Sequence, residues 1–286
     1  MGLQPQTCIR GGVGGLAFYP SARRLHPDVI DYAAKINSNS GSVTYDQLKA
    51  VSDFVRRLEL DEPALLTILR AGRFNPFLGT PAATGALNAA MVPLYTGVGP
   101  ALDVPTALVD ADVTATGILG NGSTKFISTG TNNNVFAQNN QALGVFVTGA
   151  QTTDATYFGA GSANTGASGI TTNGSTSYGS RSQQSTGDFA VSAPAATATG
   201  FFAIRREASA NYQRIWGMVE DSTTITRASQ TPRSDTLCVF RGGLESSVFS
   251  NGRAGAYLAC AGAGWTLTAF RPIINRLMID LGRWSA

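Results

Sequence analysis

Between Pro27 and Gly72 the apolar positions recur three and four residues apart, the spacing that lines one face of a helix. Pro27 fits the first position of a helix with Val29, Ile30, Ala33 and Ile36 as its apolar residues, and the polar stretch Asn37 to Ser42 ends it. Thr44 and Gln47 make a capping box, and Val43 and Leu48 are placed as a hydrophobic staple. Behind them, Leu48, Val51, Phe54, Val55 and Leu58 keep the helical rhythm. Asp61 reads as the N-cap of a third helix, with Pro63 in the first turn and Leu65, Leu66, Ile68 and Leu69 following. Gly72 reads as its C′ stop. Three short helices follow from this pattern.

From about Thr80 the period changes. Pro, Gly, Ala and Thr dominate as far as Gly120, which predicts irregular chain with few short strands. Alternation of period two then takes over. Leu143, Val145 and Val147 alternate with Gly144, Phe146 and Thr148, and Phe202 and Ile204 alternate with Phe201 and Ala203. Tyr212, Arg214, Trp216 and Met218 share one face; Leu237 and Val239 oppose Cys238 and Phe240; Ala256, Leu258 and Cys260 oppose Gly255, Tyr257 and Ala259. Asn121-Gly122, Asn173-Gly174 and Asn251-Gly252 are hairpin or bulge signals. Many short strands without intervening helices predict a mainly β chain, an antiparallel sandwich of the jelly-roll kind. A closing helix carries Leu267, Phe270, Ile274, Leu277, Met278 and Leu281 on one face, with Thr268 as N-cap and Pro272 in the first turn. The expected divisions are an arm over 1–25, a helical region over 26–75, and a sandwich with its C-terminal helix over 76–286.

Composition sharpens the picture. Hydrophobic residues are 43% of the 286, enough for a real core, but charged residues are only 14%, against roughly 25% in ordinary soluble domains. A surface of neutral hydrogen-bonding groups repels neighbouring copies weakly, which suits a homo-oligomer or a larger assembly. The formal charge of +3 is spread over scattered Lys and Arg, with adjacent pairs only at Arg23-Arg24, Arg56-Arg57 and Arg205-Arg206, so no nucleic-acid partner is expected. No apolar run reaches the roughly 18 residues of a membrane helix, so no membrane insertion is expected. The Gly-rich start lacks a basic segment followed by an apolar core and is not read as a signal peptide. Its apolar residues Leu16, Phe18 and Tyr19 are candidate anchors to a partner.

Candidate chemistry is sparse. The sole histidine, His26, sits at a helix start, which removes Ser/His/Asp, Cys/His and multi-His metal arrangements. Cys8, Cys238 and Cys260 have no metal-ligand spacing; the latter two read as buried thiols, with a bridge between them left open. Sandwich glycosidases need two carboxyls facing one bond. Here Asp154, Asp188, Glu207, Glu220, Asp221, Asp235 and Glu245 give no such pair, since adjacent Glu220 and Asp221 face opposite ways in a strand. Asp110 and Asp112 offer only a fragment of a calcium shell. The expectation is a chain that is not an enzyme, with no catalytic residue, no metal and no cofactor. Amides and one aromatic, Asn132, Asn133, Asn134, Asn139, Asn140 and Tyr178, are the candidate contacts for a host surface glycan; the competing reading of the Asn clusters is turn chemistry.

The run GILGNGSTKFISTGTNNN (Gly117 to Asn134), followed by QNNQALGVFV (Gln138 to Val147), resembles a family of bacteriophage virion proteins. AGRFNPFLG (Ala71 to Gly79), AAMVPLYTG (Ala89 to Gly97), SQTP (Ser229 to Pro232) and the stretch from Phe249 to Met278 are similar in order to further pieces of it. The likeness spans about residues 27 to 282, and GNGSTKF is its most specific part. It implies a short helical segment joined to a laminin-G or concanavalin-A-like sandwich, a place in the virion among other virion proteins, and no catalytic residue to carry over. Tail fibre, spike and head decoration are all compatible with it. The expected function is a virion structural protein; the alternative is a carbohydrate-binding host-adhesion module.

Overall fold

The computed structural model describes residues 24–151, 155–161, 165–173, 177–184, 199–217, 222–243, 246 and 248–285. In chain order the elements are α1 (Pro27–Ser38), α2 (Tyr45–Asp61), α3 (Pro63–Ala71), β1 (Arg73–Asn75), α4 (Ala86–Ala90), β2 (Tyr95–Thr96), β3 (Val104–Thr106), β4 (Val113–Thr114), β5 (Gly117–Leu119), β6 (Phe126–Asn132), β7 (Gln141–Gly149), β8 (Thr156–Ala160), β9 (Ala167–Asn173), β10 (Ser177–Gln184), β11 (Gly200–Arg206), β12 (Asn211–Ile215), β13 (Thr223–Thr226), β14 (Thr236–Val239), β15 (Arg253–Cys260) and α5 (Leu267–Asp280). The arm anchors Leu16, Phe18 and Tyr19, and Cys8 and Met218, lie outside the described residues.

Among the described residues the strands form two antiparallel sheets. The larger, of nine strands, runs β13-β12-β11-β7-β15-β1-β2, with β5 also pairing β15 and β4 pairing β5; the smaller, of six, runs β10-β9-β8-β14-β6-β3. The chain is thus a mainly β sandwich with N-terminal helices and a closing helix. The central strands explain their own sequence. On β7, Leu143, Val145 and Val147 fill the space between the sheets, where Tyr157, Phe158, Leu237 and Val239 meet them. Phe146, on the opposite face, packs beneath the helices with Phe54, Leu58, Phe270 and Leu277. Phe202 and Ile204 divide from Phe201 and Ala203 in the same way, and Tyr257 and Ala259 from Leu258 and Cys260. A strand buried on both faces is apolar on both. Helices, large sheet and small sheet therefore make three layers around two cores.

The helices form where the spacing predicts them, but Ile30 of the first is 44% exposed and three of the predicted ends are corrected. Thr44 Oγ1 accepts from Gln47 N at 3.2 Å and the Gln47 side chain accepts from Thr44 N at 3.1 Å, the reciprocal bonds of the capping box. Asp61, however, closes α2 rather than capping α3. Pro63 takes the first helical position, so Glu62 is the cap, and its side chain makes no cap bond. Gly72 is not in the left-handed region. It is small because a Cβ there would lie 2.7 Å from the Ala259 carbonyl oxygen on β15, so what it permits is α3 meeting the sheet. The closing helix starts two residues early: Thr266, not Thr268, accepts from Ala269 N at 3.1 Å, which leaves Pro272 inside the helix. Its buried stripe holds Leu267, Phe270, Ile274, Leu277 and Met278 as the spacing predicts, together with Ile273.

Candidate functional site

Side-chain chemistry concentrates at three places. The first is a buried ion network behind β3. Asp103 sits just before that strand and accepts from Arg73 Nη2 at 2.8 Å, Tyr257 OH at 2.7 Å and Asn75 Nδ2 at 2.7 Å. Arg73 uses its remaining Nη1 on the carbonyls of Val98 (3.0 Å) and Pro100 (2.7 Å). Both members of the pair have fully buried side chains. Burial raises the Asp103 carboxyl above its ordinary range, opposed by the Arg73 charge and by the Tyr257 and Asn75 donors. The arrangement ties the segment 98–103 to β1 and β15. It is closed to solvent, so its chemistry is structural.

The second place is the amide-rich end of the sandwich, where the structure separates the candidate glycan contacts. Asn133 is wholly buried: Nδ2 donates to Gly166 O at 3.0 Å, and Oδ1 accepts from Gln141 Nε2 at 2.8 Å. Gln141 Oε1 in turn accepts from Ser168 Oγ at 2.6 Å, and Gln183 Oε1 accepts from Asn139 N at 2.9 Å. Asn140 Oδ1 takes the backbone N–H groups of Gly262 (2.8 Å) and Ala263 (2.9 Å). Asn139 adopts a left-handed backbone with φ of 68°, as turn asparagines do. Tyr178 is buried, its ring 4.3 Å from that of Phe202 and 6.1 Å from that of Tyr157, and presents no face to a sugar. These are corrections: Asn133 and Tyr178 belong to the interior, and Asn140 to a turn. Asn132, Asn134 and Gln138 are exposed. The network joins residues far apart in the chain, and nothing in the local sequence marks which amide faces inward.

The third is the edge of the smaller sheet. β3 ends its strand order; Val104 on it, Leu102 just before it and Val109 just after it are 55%, 38% and 54% exposed. Sequence reading did not single out this row, because a lone Val among Pro, Thr and Asp gives no period.

Other candidates resolve as fold chemistry. His26 is the N-cap of α1, its Nδ1 accepting from Asp28 N at 3.1 Å. Asp110 accepts from Gly85 N and Leu87 N, while Asp112 pairs with Lys125 at 2.6 Å. Cys238 and Cys260 are both buried, in the two different cores. A shallow groove between α2 and α5 is lined by Arg57, Asp61, Glu62, Ala269, Pro272 and Ile273. Among the described residues no group of three His, Cys, Asp or Glu side chains is placed to hold a metal ion, and no helix is long and apolar enough to cross a membrane.

No protein-family model and no curated protein matches the chain. Solved structures do resemble it. Domain 4 of an extracellular GH43 arabinanase from Geobacillus stearothermophilus matches at 16% identity and a TM-score of 0.36, over 52% of this chain and 73% of that one. A Trypanosoma rangeli sialidase mutant displaying trans-sialidase activity matches at 10% and 0.46, over 81% and 39%. An arabinofuranosidase matches at 9% and 0.37, over 58% and 40%. The chain thus spans about two fifths of the last two.

These likenesses correct the expectation that the chain is not an enzyme. The similar structures are those of carbohydrate-active enzymes, so the exclusion of catalysis does not stand. Of the carboxylates weighed for a catalytic pair, Asp154, Asp188, Glu220, Asp221 and Glu245 lie outside the described residues. Of the remaining two carboxylates in that set, Glu207 bonds Arg205 and Asp235 bonds Arg233. At these identities the matches assign neither reaction nor substrate to this chain.

Proposed function

We propose that this chain is a structural component of a bacteriophage particle, held among other virion proteins and copies of itself, that displays the sandwich on the particle. The exposed apolar side chains Leu102, Val104 and Val109, on and beside the short edge strand β3, are the observation behind the reading. Exposed apolar side chains clustered at a sheet edge are a surface that an assembly covers. The low charge of the chain and its resemblance to virion proteins over residues 27 to 282 support it. Attachment is assigned to the N-terminal segment, which lies outside that resemblance and carries Leu16, Phe18 and Tyr19.

Deletion of residues 2–20 tests this. The truncated chain is expected to melt like the full chain yet to be missing from purified particles, as read by immunoblot. Its incorporation at the normal level would reject the assigned attachment.

The second reading, adhesion to a host surface glycan, rests on the exposed amides of Asn132, Asn134 and Gln138. A shallow site of this kind binds at about the millimolar scale and gains from multiple copies. Because Asn133 is an interior residue, Asn134→Ala is the informative change: it should abolish binding to host polysaccharide while the melting temperature stays put.

A further inference from the structure

Helix α5 is closed by a Schellman turn. Gly282 takes a left-handed φ of 68° and its N–H donates to Ile279 O at 2.9 Å, while Arg283 N donates to Met278 O at 2.8 Å. The turn sends Arg283 back into the molecule, where it is 4% exposed, and sets Trp284 edge-on to Phe146 at 5.6 Å. The buried guanidinium gathers three backbone carbonyls from two separate segments. Nη1 donates to Pro76 O at 2.6 Å and to Gly255 O at 2.7 Å, and Nη2 to Phe77 O at 2.7 Å. Gly255 is the unpaired residue of a bulge on β15, between Ala254 opposite Val147 and Ala256 opposite Phe146, so its carbonyl is off the ladder. No described carboxylate pairs with Arg283, and burial lowers its guanidinium to about 10, opposed by Tyr32.

Phe77 is the unusual member of this set. It is wholly buried and holds a φ of 46°, a left-handed backbone that a bulky side chain rarely adopts. Such a conformation persists only where its surroundings hold it. Here two bonds do so: Arg283 Nη2 on its carbonyl, and Asn75 Oδ1, which accepts from its N–H at 2.8 Å. Asn75 Nδ2 in turn donates to Asp103 Oδ2 at 2.7 Å. A second route runs through rings. Phe77 lies 5.4 Å from Tyr257, whose hydroxyl donates to the Asp103 carboxylate. Asp103 is the residue before the edge strand β3.

We propose that the segment 281–284 is a strap that sets the order of the β3 edge, with the backbone of Phe77 as its two-state element. With Arg283 seated, Phe77 is left-handed and the bonds from Asn75 and Tyr257 to Asp103 are closed. With Arg283 withdrawn, Phe77 relaxes to an ordinary backbone, its N–H and its ring leave Asn75 and Tyr257, and the segment 98–106 loosens. The coupling is internal to the chain and independent of what covers the edge.

Hydrogen exchange of the full chain tests it through two amides: that of Phe77, bonded to Asn75, and that of Asp103, bonded to Met91 O at 2.8 Å. In Arg283→Met both are expected to exchange about tenfold or more faster, the worth of one hydrogen bond to a charged group. Amides in β9 and β10, at the far end of the sheet that β3 closes, are expected to keep their wild-type rates. Arg283→Lys, which keeps the charge and serves part of the carbonyl set, should give the same pattern at smaller size, and it carries the test if the methionine variant does not fold. Faster exchange at Phe77 with a wild-type rate at Asp103 would overturn the coupling, as would wild-type rates at both. Equal acceleration in β9 and β10 would also overturn it, since Arg283 would then act on global stability alone.

Discussion

Replacement of Asp103 by alanine is expected to remove about 3–5 kcal/mol of stability in urea denaturation, because it leaves the Arg73 guanidinium buried without its counter-charge. The geometry sets the size of the effect. Arg73 approaches Asp103 through both Nε and Nη2, and Tyr257 and Asn75 complete the carboxylate's shell. Loss of the acid takes the acceptor from four donor atoms as well as the counter-charge from Arg73. The double change Arg73→Met with Asp103→Leu removes the charges together and should recover most of the loss, since a buried pair replaced by packed carbon is often neutral or better. A loss below about 1 kcal/mol for Asp103→Ala would mean that water reaches the pair, and that segment 98–103 is not latched as described.

A still larger effect is expected from Leu277→Asp. Leu277 is wholly buried beneath the helices in the core that also holds Phe54, Phe146, Phe201 and Leu258. Truncation to alanine costs about 2–5 kcal/mol. A carboxylate adds the cost of a buried charge with no partner, which exceeds what a domain stable by about 5–15 kcal/mol tolerates. The aspartate variant should therefore be recovered as aggregate, and Leu277→Ala as a folded protein with a reduced urea midpoint. Wild-type melting of Leu277→Asp would show α5 to be free of the sheet.

How far the sequence reaches differs between the layers. The helices on the outer face of the large sheet were readable because each has one buried stripe and polar ends, down to the Thr44–Gln47 box. The central strands were readable because both their faces are apolar, and the alternation that separates Leu143 from Phe146 separates the two cores themselves. What escaped were pairings across distance. Asp103 and Arg73 stand thirty positions apart, and no local rule joins them. Asn133 and Asn134 are adjacent and of one residue type, yet one is buried and the other exposed, because the turn at 133–135 sends one amide inward to Gln141. Tyr178 looked like a lone aromatic in a polar stretch; cross-sheet packing with Phe202 made it core. Gly72 gave the right break for a different physical reason, close approach to β15 instead of a left-handed turn.

The role proposed for the chain is tested most directly by an electron-microscopy map of the purified particle that contains it. The account predicts the sandwich at fixed, symmetry-related positions, with the β3 edge at Leu102 and Val104 covered by a neighbouring subunit and the N-terminal segment leading into the particle. Particles in which no density fits the sandwich, or in which it is bound with that edge bare, would contradict it.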